Sequence, residues 1–260
     1  MIGLRRLTLL PVAVAIAAIA IGCMGRHSRQ EAPAVGVGYT DSDSIAIDSA
    51  AAAWEGGKAK MPSADEAVRY TRLTDEDFDI VARELGVEVA AIKAVVRIEA
   101  GAAMEGFWAP AVPIVNFDRS MYNTYGVKAA NKKGNPNAKV PAGLSGFALR
   151  RWQTLTKMRK INYDGADMGT FWGMFQIGGF AYKQCGCSSV REFVDLMSRS
   201  EFDQLELFAA FVLNTGYVDY IRKKDWAGFS RRYNGPRYAR RGYHTKMASA
   251  YQKYKSSEKK

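Results

Sequence analysis

Cysteine and histidine are scarce in this chain of 260 residues, which contains three cysteines and two histidines. The histidines, His27 and His244, have no further ligands at a metal-binding spacing, so the sequence predicts no metal site. Cys185 and Cys187 are separated by one glycine and are too close for an unstrained disulfide, so we interpret them as structural thiols. These shortages exclude a disulfide scaffold, and no group of residues requires a metal or another cofactor.

Long apolar runs are also rare, and the longest lies near the N-terminus. It covers residues 7–21, follows two arginines, and is followed by Gly22 and Cys23. The run is too short to span a bilayer comfortably, which favours a lipoprotein signal peptide over residues 1–22. Residues 20–23 resemble a bacterial lipobox, so we predict lipidation of Cys23 and a cell-envelope protein that is lipid-anchored to a membrane and faces the periplasm. A plain secretory signal with an incidental cysteine is the alternative.

Acidic residues are outnumbered, since 26 Asp and Glu oppose 37 Lys and Arg and the formal net charge is +11. Such a field favours anionic partners, which outside the cytoplasm are cell-wall glycans with peptide carboxylates and lipid headgroups. Much of the charge lies between Arg222 and Lys260, a region interleaved with tyrosines. Nucleic acid is a competing partner for such a region, but the export signal argues against it. A solvated helix face with a basic tail at residues 256–260 is the simpler interpretation.

The rest of the chain divides into two parts by composition. Residues 23–70 are rich in small and polar side chains and are predicted to be a disordered tether. Residues 73–255 are long enough for one domain with a substantial core. A loop rich in Gly, Pro, Asn and Lys is predicted for residues 131–146.

Helical signals dominate the domain, and we therefore predict a mostly α-helical fold. Capping boxes at Thr74 and Ser189 precede apolar faces, and Asp225 caps a further short helix. Other helices are predicted from about Glu88 to Glu99 and from about 245 to 254. No convincing run of alternating strand residues is present.

Glu99 ends a helical pattern in which Ile92, Val95 and Val96 form an apolar stripe, so its carboxyl lies on that stripe. Burial disfavours the ionised form and raises the pKa of a carboxylic acid, which is how a glycosidase keeps one acid protonated near neutral pH. Glu99 is therefore a candidate catalytic acid. The alternative is a structural residue paired with an arginine before the helix stop.

Three segments carry a resemblance to a known family: TFWGMFQIGGF at 170–180, SRSEFDQLELFAAFV at 198–212 and WAGFSRRYNGPRYARRGY at 226–243. The first resembles the Gly-Leu-Phe-Gln-type segment of lysozyme-like peptidoglycan hydrolases, and together they look like the N-acetylmuramidase family of phage endolysins and bacterial envelope proteins. The resemblance covers about residues 73–254. It implies a lysozyme-like helical fold, no cofactor, and hydrolysis of the β-1,4 bond between N-acetylmuramic acid and N-acetylglucosamine.

By this resemblance Glu99 is the general acid that protonates the glycosidic oxygen. Glycoside hydrolysis ordinarily needs a second carboxylate, as nucleophile or to activate water. Asp118 is our preferred candidate and Glu105 the second, while retention and inversion both stay open. The competing interpretation of Asp118 is a helix cap or an ion pair with Arg119.

Four residues are predicted to bind substrate, namely Trp172, Gln176, Tyr233 and Asn234. Gln176 would hydrogen-bond an acetamido or hydroxyl group, or instead brace a turn. Tyr233-Asn234 resembles the Tyr-Asn motif of lysozyme-like clefts, with the ring beside the acid and the amide reaching the substrate or the acid's carboxyl. Trp172 and Trp108 are possible sugar-stacking faces or core residues.

Two rival functions share these features. A lytic transglycosylase would use one glutamate as acid and then base, and would release fragments with anhydromuramic ends. A non-catalytic peptidoglycan-binding component of the envelope or of a secretion apparatus would keep the fold and release no fragments, and envelope or secretion-system proteins are then possible partners.

Overall fold

The computed structural model describes residues 72–101 and 104–258, which form ten α-helices and five short strands. The predicted signal peptide, the lipidation site at Cys23 and the predicted tether up to residue 70 lie outside the described residues. Within the described part of the chain, no helix combines the length and the apolar character that crossing a bilayer requires.

The first two helices form where the sequence predicts them. Helix α1 spans Asp75–Leu85 and helix α2 spans Val89–Glu99. The Thr74 hydroxyl accepts a hydrogen bond from the Asp77 backbone N–H, and the Asp77 carboxylate accepts one from Thr74 N–H, so the predicted capping box is confirmed. Both helices bury an apolar face in a common core, to which they contribute Phe78, Val81, Leu85, Ile92, Val95 and Val96.

Two small antiparallel sheets follow α2, and the sequence pattern does not predict them. The first pairs β1 (Phe107–Ala109) with β2 (Val112–Pro113). The second has the order β3 (Val115–Phe117), β4 (Thr170–Trp172), β5 (Ile177–Gly178). Strands of two or three residues are too short to display the alternation that identifies a strand in sequence.

Three helices lie around the second sheet: α3 (Arg119–Thr124), α4 (Gly146–Arg159) and α5 (Tyr163–Met168). Residues 131–145, between α3 and α4, contain no helix or strand, as predicted for the loop. Helix α4 buries Trp152, Leu155 and Met158 against the sheet side of the core.

From residue 190 to residue 258, the regular secondary structure of the domain is entirely helical. It comprises α6 (Val190–Met197), α7 (Glu201–Asn214), α8 (Val218–Arg222), α9 (Trp226–Asn234) and α10 (Tyr243–Ser257). Ser189 and Asp225 cap α6 and α9 by accepting hydrogen bonds from the backbone N–H groups of Glu192 and Gly228. The capping box predicted at Ser189 is only half formed, because the Glu192 carboxylate accepts from Ser188 N–H instead of Ser189 N–H.

Helix α10 packs along α2, and side chains in its last turn bind the start of α2. Lys255 forms ion pairs with Glu88 at 2.9 Å and Glu258 at 3.0 Å, and Lys224 also pairs with Glu88. The Glu258 carboxylate accepts a hydrogen bond from Ala90 N–H at 3.0 Å. The tail predicted to begin at residue 256 is therefore in part a helix that binds the start of α2.

Candidate active site

Glu99 is the last residue of α2 and is half-buried, with the apolar face of the helix behind it. Burial raises the pKa of its carboxyl from 4.5 to about 8, while a hydrogen bond from Asn234 acts in the opposite direction. Because the desolvation effect is the larger one, Glu99 is a neutral carboxylic acid at pH 7 and holds a proton that it can donate.

Asn234, the last residue of α9, contacts Glu99 directly. Its Nδ2 donates a hydrogen bond of 2.8 Å to Glu99 Oε1. An oxygen that accepts this bond acts as the carbonyl oxygen of the neutral carboxyl, so the proton belongs on Oε2. Asn234 therefore selects which oxygen of Glu99 can donate the proton. The sequence predicts that this amide reaches either the substrate or the carboxyl of the acid, and the structure shows the contact with the carboxyl.

Tyr233 lies in the core and not on an accessible surface. Its side chain is 1% exposed, its ring stacks on Phe229 at 5.4 Å, and its hydroxyl donates to the Phe175 carbonyl at 2.7 Å. The prediction that Tyr233 binds substrate is wrong for its side chain, since a sugar cannot reach it. The residue instead ties the end of α9, which carries Asn234, to the turn between β4 and β5.

Gln176 belongs to that same turn and braces it. The residue has a left-handed backbone (φ 48°), is 4% exposed, and donates through Nε2 to the Gly173 carbonyl at 2.8 Å. An amide that is buried and bonded to its own turn does not present its donors to a sugar. The turn-bracing alternative is therefore the observed one, and the predicted substrate contact of Gln176 is corrected.

Trp172 is a core residue. It is fully buried, its Nε1 donates to the Asp167 carbonyl at 3.0 Å, and its ring meets Trp152 edge-on at 6.2 Å. A stacking face must be open to the sugar, so the prediction that Trp172 binds substrate is wrong. Trp108, in β1, stays partly exposed and packs edge-on against Phe147 at 6.0 Å.

Asp118 stands at the end of β3 and caps α3. Its Oδ1 accepts a hydrogen bond from Met121 N–H at 2.9 Å, and its own N–H donates to the Gly169 carbonyl at 2.9 Å. The cap uses one carboxylate oxygen. Glu105, the other candidate, pairs with Arg72 at 3.1 Å, and both side chains are largely exposed.

Two residues of α7 hold the segment that follows Glu99, and sequence reasoning misses both. Glu201 accepts hydrogen bonds from Gly106 N–H at 3.0 Å and Leu73 N–H at 3.2 Å. Gln204 is fully buried, accepts from Met174 N–H at 2.8 Å and donates to the Gly106 carbonyl at 3.3 Å. The sequence does contain a signal for Gln204. It lies on the apolar face of a helix, one turn before Phe208 and two turns before Phe211, and an amide on such a face is expected to be buried and hydrogen-bonded.

Close approach to Gln204 explains two glycines of this region. A Cβ at Gly106 would lie 2.3 Å from Gln204 Oε1, and one at Gly173 would lie 2.6 Å from the same atom. Gly173 also has a left-handed backbone, with φ 68°. A side chain at either position would displace the Gln204 amide from its hydrogen bonds to Gly106 and Met174.

Tyr243, the first residue of α10, is a further neighbour of Glu99. Burial raises the pKa of its phenol, and the Glu99 charge raises it further, while Arg241 acts in the opposite direction. Asn234 and Tyr243, which flank the segment that joins α9 to α10, both interact with Glu99, Asn234 through a hydrogen bond and Tyr243 through the charge of the carboxylate.

The two cysteines of the described region are free and buried, and burial raises the pKa of Cys187 to about 12. They are therefore poor nucleophiles. Among the described residues no group of three or more His, Cys, Asp or Glu side chains could hold a metal ion.

Comparison with known proteins assigns a family to this site. The family model of the N-acetylmuramidases matches residues 88–255, from the cap of α2 to the end of α10. The chain belongs to the N-acetylmuramidase family. The matched segment contains Glu99, its hydrogen-bond partner Asn234, and the α7 residues Glu201 and Gln204 that hold the backbone after Glu99.

A solved structure supports the same assignment. This muramidase-family chain is 32% identical to the protein in the crystal structure of the Burkholderia AP3 phage endolysin, with a TM-score of 0.60 and coverage of 72% of each chain. The prediction of a mostly α-helical, lysozyme-like fold is confirmed by this similarity. No curated protein matches the chain.

Proposed function

We propose that this chain is a peptidoglycan N-acetylmuramidase that hydrolyses the β-1,4 bond between N-acetylmuramic acid and N-acetylglucosamine. The observation that carries the proposal is the neutral carboxyl of Glu99, half-buried at the end of α2 and bonded by Asn234, in a chain of the muramidase family. Glycoside hydrolysis requires such an acid because the departing sugar oxygen must be protonated as its bond to carbon breaks.

The geometry around Glu99 supports the proton transfer. Oε2 carries the proton and gives it to the glycosidic oxygen, which leaves negative charge on the carboxylate. The N–H of Asn234 already points at Oε1, and a hydrogen bond to a charged acceptor is stronger than one to a neutral acceptor. Asn234 therefore stabilises the carboxylate that forms, and water later returns a proton to Glu99.

Product analysis tests this function against the transglycosylase alternative. The full chain is incubated with purified sacculi, and the released fragments are reduced with borohydride and analysed by mass spectrometry. A muramidase releases reducible muramic acid ends. Anhydromuramic ends would assign the chain to the transglycosylases, and the absence of fragments from folded protein would favour the wall-binding component.

We further propose Asp118 as the second carboxylate, supported by its position at the end of β3 and by its second oxygen, which the cap does not use. The variant Asp118→Asn tests this sharply, because asparagine caps a helix as well as aspartate does. We expect activity on sacculi to fall about 100-fold or more with an unchanged melting temperature. Glu105→Gln tests the other candidate in the same assay, and wild-type activity in Asp118→Asn would remove Asp118 from the mechanism.

For location, we propose that Cys23 is lipidated and that the domain acts on the wall from the periplasmic face of an envelope membrane. The lipobox-like residues 20–23 and the uncharged run before them support this. Incorporation of a labelled fatty acid into the full chain, and its loss in Cys23→Ser, would agree with the proposal. An unlabelled wild-type chain would contradict it.

A further inference from the structure

The segment that joins α9 to α10 is strongly basic and begins next to a residue that contacts Glu99. We name residues 235–242, Gly-Pro-Arg-Tyr-Ala-Arg-Arg-Gly, the arginine loop. The residue before the loop, Asn234, donates to Glu99 at 2.8 Å. The residue after it, Tyr243, is close enough to Glu99 to be affected by the charge of its carboxylate. The loop therefore starts beside the candidate acid and ends before a residue that interacts with the charge of that acid.

The arginine loop is also compact. Tyr238 N–H donates to the Gly235 carbonyl at 3.2 Å, and Gly242 N–H donates to the Ala239 carbonyl at 3.1 Å, so two successive turns keep the chain close to its ends. Arg237 is three residues from Asn234, and Arg240 is three residues from Tyr243. Because three residues span at most about 11 Å, the Arg237 backbone stays within about 11 Å of Asn234, and the two turns keep Arg240 in the same short loop.

The charge of these arginines is not used within the protein. The side chains of Arg237 and Arg240 are exposed, the loop contains no acidic residue, and no ion pair joins either arginine to another residue of the described region. A cation near a carboxylic acid favours its ionised form and so works against the neutral Glu99. The two exposed guanidinium groups therefore do not help to keep Glu99 protonated, and binding of an anionic ligand explains their position better.

We propose that Arg237 and Arg240 bind a carboxylate on the lactyl arm of N-acetylmuramic acid, either the free lactyl carboxylate or a carboxylate of the stem peptide attached there. This inference rests on the proposed function and specifies which substrate the same site prefers. The sugar rings carry no charge, whereas the muramic acid at the cleaved bond brings this arm close to Glu99. A planar guanidinium group can hold a carboxylate through two parallel hydrogen bonds.

The test uses three soluble glycan oligomers with identical sugars and different lactyl arms. The first carries stem peptides, the second carries free lactyl carboxylates after amidase treatment, and the third has those carboxylates capped as neutral methyl amides. The kcat/KM of the full chain is measured on each by the release of reducing ends. The double variant Arg237→Gln/Arg240→Gln is compared with wild type.

A matched control removes the same charge elsewhere. Lys157, on α4, and Lys253, on α10, are exposed, and Lys253 lies about 15 Å along the helix from Tyr243. The variant Lys157→Gln/Lys253→Gln therefore reports the effect of net charge alone. The melting temperatures of both double variants are measured to exclude unfolding.

We expect the arginine variant to lose about tenfold in kcat/KM on the charged oligomers and to change less than twofold on the neutral one. A loss confined to the peptide-bearing oligomer identifies the stem-peptide carboxylates, a loss confined to the amidase-treated oligomer identifies the free lactyl carboxylate, and a loss on both shows that the arginines bind either carboxylate. Equal losses on all three oligomers, or the same losses in the lysine control, would overturn the inference. A wild-type chain that cleaves none of the oligomers would instead contradict the proposed function.

Discussion

Glu99 links catalysis to stability through one carboxyl group. Its pKa is 4.5 when exposed and about 8 in the folded chain, so between these values the folded state keeps a proton that the unfolded state releases. The free energy of unfolding therefore falls as the pH rises from 4.5 towards 8, by about 1.4 kcal/mol per pH unit. Keeping an acid protonated for its reaction costs the domain stability at neutral pH.

The variant Glu99→Gln tests this cost. We expect the variant to be more stable than wild type by about 3 kcal/mol at pH 7, because glutamine has no proton to lose, and equally stable at pH 4. Urea unfolding of both proteins at the two pH values measures the difference. A stability difference that does not change with pH would show that Glu99 has an ordinary pKa.

Asn234 is expected to affect both the rate and the pH range of the reaction. Its hydrogen bond lowers the pKa of Glu99, so Asn234→Ala should move the basic limb of the kcat/KM profile to higher pH. Loss of the bond to the carboxylate that forms should also reduce kcat about tenfold.

The control for this prediction is Asn214→Ala. Asn214 donates through the same amide nitrogen to a backbone carbonyl, that of Gln184, on an exposed surface. It should leave the pH profile unchanged. A reduced kcat in Asn234→Ala with an unshifted basic limb would mean that Asn234 does not act through the ionisation of Glu99.

At the scale of elements, the first turns of α7 hold together the pieces that surround Glu99. Gln204 connects α7 to the backbone of Gly106, Met174 and Met197 through three buried hydrogen bonds. Methionine has a similar volume but cannot make them, so Gln204→Met leaves three buried backbone groups without their partner. We expect it to reduce the free energy of unfolding by about 2–4 kcal/mol in a denaturant titration.

The exposed Gln252, on α10, offers the matched substitution. Gln252→Met should change the free energy of unfolding by less than about 0.5 kcal/mol. Equal stabilities of the two variants would show that the Gln204 hydrogen bonds do not stabilise this region.

The elements that the sequence predicts are those whose signals are local. Thr74 and Asp225 cap their helices through groups three residues away, and such spacing can be read directly. Helix α4 is not predicted, because two of the residues that it buries, Thr156 and Arg159, are polar and obscure its apolar face. Arg159 is buried in the fold, where it pairs with Asp167 at 2.6 Å and lies over the Trp172 ring. A partner on another element is what makes an arginine suitable for a core, and the sequence of the helix does not contain that information.

At the scale of the whole molecule, the sequence predicts which residues gather near Glu99 better than it predicts which of them a substrate can reach. Asn234 contacts the acid, whereas Tyr233 and Gln176 support it from inside the core, and Trp172 packs beneath the second sheet. A motif places residues on an element, but accessibility depends on what packs over them. Here the aromatic rings of Phe208 and Phe211 on α7 and of Phe229 on α9 cover Tyr233, and Trp152 on α4 packs against Trp172.

The most direct test of the account is the activity of Glu99→Gln on purified sacculi, with Glu206→Gln as the control. Glu206 lies on α7, and burial raises its pKa as well. We expect kcat/KM to fall about 10³-fold or more in Glu99→Gln while its fold is intact, and Glu206→Gln to keep wild-type activity. A folded Glu99→Gln protein that still releases muramic acid ends at the wild-type rate would contradict the assignment of Glu99 as the acid.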